Sequence, residues 1–169
     1  YFTKRYLDRL KPLLRRLARI HPYVLRVIGV NFSDPDILHE NVPWSEASEG
    51  IRIHECDIGL MPLEDTYWEK GKCGFKLIQY MACGLPVVAS PAPANEEIVA
   101  HEQNGYIVRT DGEWVQALAR LLEDASLRAA MGRLSRQIIE ERYSYQIWGP
   151  RYVRLLERVG CGETIAREE

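Results

Sequence analysis

The sequence is poor in the residues that build disulfide or metal frameworks. Among its 169 residues there are only four cysteines, Cys56, Cys73, Cys83 and Cys161, and no two of them form a Cys-x-x-Cys pair. That spacing argues against a zinc or dithiol site, and nothing in it calls for an oxidising compartment. A reducing cytosol with free thiols is the expectation. No apolar run approaches the roughly 20 residues that a membrane helix needs. The first residues, Tyr1-Phe2-Thr3-Lys4-Arg5, lack the pattern of a secretory leader. Internal repeats and low-complexity stretches are also missing. With 22 Lys and Arg against 24 Asp and Glu, the net charge is −2, so the basic excess of a dedicated nucleic-acid binder is absent.

What is present is a globular composition, 46% hydrophobic and 27% charged. The length suits one compact domain, since domains usually run to about 100–150 residues. Charge is unevenly placed. Residues 1–26 carry eight basic residues and one acid, and residues 31–69 carry ten acids and one Arg. The basic start reads as a solvated helix face, with contact to an anionic membrane as the sharper alternative.

Leu7, Leu10, Leu14 and Leu17 recur at helical spacing over 4–19, with Pro12 expected to kink or restart the helix. Short β-branched runs at 23–28, 57–61, 86–89 and 105–108, and a weaker one at 37–42, read as strands. Helices are expected between and after them: about ten residues from a Ser45 cap, 74–83 closed by a left-handed Gly84, and a short one capped by Asn95. Thr110 and Glu113 have capping-box spacing, Asp124 caps the next helix, and Ser144 precedes the last. Alternating strands and helices predict an α/β fold, a Rossmann-like parallel sheet covered by helices on both faces.

In such sheets ligands bind beyond the carboxyl ends of the strands. The connection over 63–73 leaves one such end and runs into a helix through Gly71-Lys72-Cys73-Gly74-Phe75-Lys76. Two glycines permit close backbone approach, a helix start offers unpaired N–H groups, and Lys72 and Lys76 add charge. Phosphate binding is the functional reading, and a glycine turn with two solvated lysines is the plain one. Neither a Walker A loop nor a Gly-x-Gly-x-x-Gly fingerprint is present.

The run Asp57-Ile58-Gly59-Leu60-Met61-Pro62, the stretch Gly71–Ser90, Asn95-Glu96-Glu97-Ile98-Val99 and Asn104-Gly105 together resemble the donor-binding half of glycosyltransferase family 4. The likeness covers roughly residues 23–158. It implies the C-terminal half of a retaining, metal-independent GT-B enzyme that uses no cofactor and takes a nucleotide-diphosphate sugar as donor. By the same resemblance, Lys72, Cys73, Gly74, Phe75 and Lys76 would face the donor diphosphate and sugar. Val42, Pro43 and Trp44 would meet the base. The ribose-binding glutamate of the family falls at Gln79, and an earlier glutamate near the transferred sugar falls at Gly71. Glu69, two residues away, could stand in for it, and no catalytic residue is assigned.

The resemblance further implies an acceptor-binding N-terminal domain outside the chain. The whole of 1–169 would be one donor domain, inactive alone, whose 143–169 segment would pack toward that other domain. A cytoplasmic place in polysaccharide biosynthesis follows, with peripheral membrane contact through the full-length enzyme left open. The alternatives are a GT-B-related nucleotide-sugar epimerase and a non-catalytic nucleotide-binding α/β module.

Overall fold

The computed structural model describes residues 2–161. In chain order the elements are α1 (Phe2–Ala18), β1 (Leu25–Ile28), β2 (His39–Val42), α2 (Glu46–His54), β3 (Gly59–Met61) and α3 (Tyr67–Lys70). They continue as α4 (Phe75–Ala82), β4 (Val87–Ala89), α5 (Pro93–Ile98), β5 (Gly105–Ile107), α6 (Asp111–Glu123), α7 (Ala125–Arg142) and α8 (Tyr145–Gly160).

Every strand pairing is parallel. β1 pairs with β2 in the register Leu25 to His39 and Ile28 to Val42, and β3, β4 and β5 form a second ladder in that order. The middle strand explains why helices must cover both faces. Val87, Val88 and Ala89 are all fully buried, and they alternate between two cores. Val88 joins a cluster with Leu10, Leu14 and Leu17 of α1 and Trp114, Leu118 and Leu121 of α6. Val87 and Ala89 join the opposite cluster with Leu77 and Met81 of α4 and Ile98 of α5. A strand buried on both sides reads as a continuous apolar run, as this one does.

The first helix does not restart at Pro12 but runs unbroken through it. An interior proline costs about 3 kcal/mol. Tyr6, Leu10, Leu13, Leu14 and Leu17 are all buried on one face, each contributing about 1.5–3 kcal/mol, and that sum prevails. Arg15 also anchors the helix, donating from Nε and Nη2 to buried Asp34 at 3.0 and 2.8 Å.

Other expectations shift. Residues 63–73 are not all loop, because α3 lies within them. Asn95 does not cap α5. Ala92 holds that position, and the Asn95 amide is buried inside the helix, donating to the Ser90 carbonyl at 2.9 Å. β2 forms within the weaker expected strand 37–42, with His39 edge-on to Phe32. The Thr110 capping box and the Asp124 cap form as the spacing predicts. Gly84 takes φ 76° after α4. α8 buries none of its side chains, and Trp148, Tyr152, Leu155 and Val159 lie exposed along it. The tail beyond Cys161 in the expected terminal segment lies outside the described residues.

Candidate functional site

In a parallel sheet each helix that follows a strand begins at the strand's carboxyl end. β2 therefore delivers Trp44 and the first turn of α2 to the same rim that β3 gives to the first turn of α4. This topology places Val42, Trp44, Glu49, Lys76 and Gln79 along one edge.

Gly74 is the N-cap of α4 with φ 70°, a left-handed conformation that glycine adopts without steric cost. Its Cα is hemmed in. A methyl there would meet Ile98 Cδ1 at 2.5 Å and the Asn95 Oδ1 at 3.5 Å. The turn exposes Cys73, Phe75 and Lys76, while Gly74 itself is buried. The N–H groups of Phe75 and Lys76 lie in the first turn, where no intrahelical acceptor exists. The aligned peptide dipoles add about half a positive charge there.

Beside this helix start, two side chains converge on one carboxylate, that of Glu49. Lys76 Nζ donates to Glu49 Oε1 at 2.7 Å and to Gln79 Oε1 at 2.8 Å. Gln79 Nε2 donates to Glu49 Oε2 at 2.9 Å. The Lys76 contact foremost, and that from Gln79 after it, holds the Glu49 carboxyl below its ordinary range. The Glu49 side chain is 15% exposed and that of Lys76 50%. Trp44 rests its Cβ against Gly29, which closes β1 with φ 86°, and leaves its ring exposed. Val42 is half-buried at the end of β2.

Glu49 was invisible to the sequence reading. Nothing in Ser-Glu-Ala-Ser-Glu separates one acid from the others. Only the packing of α2 on α4 brings Glu49 to Lys76 and Gln79.

The two lysines do not work together. Lys72 turns to α1, where its Nζ donates to the Tyr6 hydroxyl at 3.0 Å and lies 4.4 Å from the centre of the Tyr6 ring. The reason is Glu69. Its side chain is buried at 1% exposure, accepting from Arg5 at 2.5 Å and from the Tyr6 and Thr66 hydroxyls. Tyr6 first, and Arg5 after it, draw the Glu69 carboxyl below its ordinary value. Glu69 thus ties the 63–73 segment to α1, with both of its carboxylate oxygens engaged by protein donors.

A small cleft of about 80 Å³ opens at the carboxyl ends of β3, β4 and β5. Arg9, Pro62, Ser90, Val108 and Arg109 line it, and none of the Trp44–Gln79 group does. Glu96, which the sequence places near this rim, is engaged by Arg109 at 2.6 Å. Among the described residues no helix is long and apolar enough to cross a membrane.

A family model described as Glycosyl transferases group 1 matches residues 5–124. An uncharacterized glycosyltransferase of Methanocaldococcus jannaschii, MJ1069, is 26% identical over 108 residues, covering 60% of this chain and 28% of that protein. A GDP-mannose-dependent monoacylated alpha-(1-6)-phosphatidylinositol monomannoside mannosyltransferase of Corynebacterium glutamicum is 31% identical over 85 residues, 50% of this chain and 22% of that one. The chain therefore spans well under a third of these relatives. Among solved structures, Anabaena Alr3699/HepE in complex with UDP and glucose superposes with a TM-score of 0.60 at 18% identity, over 73% of this chain and 32% of that one. The fold is shared at a sequence identity that carries little else.

Proposed function

The chain belongs to the group 1 glycosyl transferases, and from that premise we propose that it is the donor-binding half of a retaining GT-B enzyme of glycosyltransferase family 4. It holds a nucleotide-diphosphate sugar for transfer of a hexosyl group to an acceptor bound elsewhere in the full-length protein. One observation carries this reading: Lys76 and Gln79 stand together on Glu49 beside the first-turn N–H groups of α4. They offer an ammonium beside a helix start for phosphates and an amide for a diol, and Trp44, exposed just after β2, offers a ring for a base.

The chemistry follows from charge. When the glycosidic bond to the diphosphate breaks, negative charge grows on the departing phosphate oxygens. N–H groups and an ammonium held in place before the reaction stabilise that charge without reorganising. The wider cleft is unfinished in this chain alone, since about 80 Å³ is far below the roughly 300–1,000 Å³ of a ligand pocket. An acceptor-binding domain packed over the rim, and against the exposed apolar face of α8, would complete it. Holding donor and acceptor in reacting geometry supplies much of the rate, so the chain by itself binds donor without transferring.

A cytoplasmic enzyme of polysaccharide or glycolipid synthesis fits these features. Lys4, Arg9 and Arg16 on α1, and Arg19 just beyond it, are exposed and offer charge to an anionic membrane. The corynebacterial relative's name gives it a phosphatidylinositol-linked acceptor.

Calorimetric titration with UDP and GDP tests the reading. Lys76→Ala weakens the nucleoside diphosphate that binds by about tenfold or more, the worth of one charged hydrogen bond. Lys72→Ala, whose ammonium lies on Tyr6, changes it by less than about threefold. Unchanged affinity in Lys76→Ala would refute the phosphate role.

A further inference from the structure

We propose that Glu49 is a positioning residue of the donor site, a single carboxylate that orients Lys76 and Gln79 as one unit. The inference rests on the donor-binding reading above and deepens it. It begins with Gln79. An amide can turn either end toward a neighbour, so an isolated Gln offers a ligand an undefined pattern of donor and acceptor. Here the ambiguity is removed twice. Glu49 is acceptor-only and takes the Nε2 end at 2.9 Å. Lys76 is donor-only and takes the Oε1 end at 2.8 Å. One orientation satisfies both partners.

What Gln79 has left is one N–H on Nε2 and one lone pair on Oε1. That pairing of a donor with an acceptor complements a vicinal diol, in which each hydroxyl both donates and accepts. The same carboxylate fixes Lys76 at 2.7 Å. Glu49 is itself mostly covered and has its oxygens engaged, so it acts through its neighbours and not by touching the ligand. It also supplies negative charge beside a position that carries an uncharged amide. The two side chains share between them what a lone glutamate would provide.

The test compares UDP and GDP with their 2′,3′-dideoxy counterparts by calorimetry. Four chains are used: wild type, Glu49→Gln, Glu49→Asp, and the double exchange Glu49→Gln with Gln79→Glu. Glu49→Gln removes the negative charge and one of the two partners that fix the Gln79 amide, leaving Lys76 alone to hold it. We expect affinity for the ribonucleotide to fall about tenfold and the preference for ribose over dideoxyribose to fall with it. Glu49→Asp keeps the charge but is one methylene too short to reach Lys76 and Gln79 together, and shows the same loss. The exchange restores a carboxylate and an amide in bonding distance of Lys76, and returns affinity to within about threefold of wild type.

Melting curves accompany each variant, and if Glu49→Gln does not fold the comparison is read from Glu49→Asp. Single variants with wild-type affinity and ribose preference overturn the proposal. So does a loss of affinity that is equal for both sugars, and so does an exchange no better than Glu49→Gln. If wild type binds neither nucleotide, the donor-site reading fails instead, and the two failures are distinct.

Discussion

Replacing Gly74 by Ala tests the corner on which the donor site turns. Two costs add. A left-handed backbone with φ 70° is free for glycine and costs a residue with a Cβ about 1–2 kcal/mol. The new methyl also meets Ile98 Cδ1 at 2.5 Å, and Ile98 is only 4% exposed, so its side chain has little room to retreat. Overpacking of this kind costs about 1–3 kcal/mol. Stiffening of the unfolded chain returns about 0.4–1 kcal/mol. The net loss is about 2–4 kcal/mol, which in a chain of this size lowers the melting temperature by about 5–15 °C.

The clash part can be separated from the backbone part. Ile98→Val removes the offending methyl and alone costs about 0.5–1.5 kcal/mol. In the Gly74→Ala background the same change is neutral or stabilising, a coupling of about 1–2 kcal/mol in a double-mutant cycle. Thermal and urea melts of the four proteins measure it. A Gly74→Ala melting point within about 2 °C of wild type, or strictly additive costs, would show that the corner is not packed as described.

Two further outcomes concern the scaffold. Thr110→Ala removes the hydroxyl half of the capping box that starts α6, the acceptor for the Glu113 N–H, while the N–H of residue 110 can still donate to Glu113. It lowers stability by about 1 kcal/mol, read as a drop of about 2–4 °C in melting temperature. The carboxyls of Glu69 and Asp34 are held below their ordinary values, by Tyr6 and Arg5 for the first and by Arg15 for the second. A depressed carboxyl stabilises the fold at pH values above its unfolded range of about 4–4.5 and loses that stabilisation as the pH falls through its folded value. Stability therefore declines on the acid side of about pH 4.5, and Glu69→Gln flattens that limb while lowering the plateau at neutral pH. A pH–stability curve whose acid limb is the same in Glu69→Gln and wild type would remove Glu69 from the account.

The Glu69 cluster also changes how the glycine-rich connection is understood. From spacing, Lys72 and Lys76 look like a matched pair of phosphate ligands. In the fold they are recruited in opposite directions, one by an aromatic hydroxyl on α1 and the other by a carboxylate on α2. A buried carboxylate needs its donors close, so Glu69 gathers Arg5, Tyr6 and Thr66, and Lys72 joins them through Tyr6. The cation left at the helix start is Lys76.

Periodicity and turn chemistry are local properties, and the sequence carries them openly. The apolar run Pro86-Val87-Val88-Ala89 marks a strand buried on both faces, Gly84 marks a left-handed helix end, and Thr110 with Glu113 marks a capped helix, because each depends on residues within one or two turns of one another. The parallel α/β architecture follows from their order. The helix start at Gly74 and the positions of Trp44, Lys76 and Gln79 could be named on the same ground, aided by family likeness. Partnership between side chains is different. Glu49 and Gln79 are 30 positions apart, and Tyr6 and Glu69 are 63 apart. Which acid faces which base across such distances depends on how helices pack on the sheet, and that is decided by the summed burial of many apolar residues. Pro12 shows the same hierarchy, since a local rule that ends helices gave way to the core beneath it.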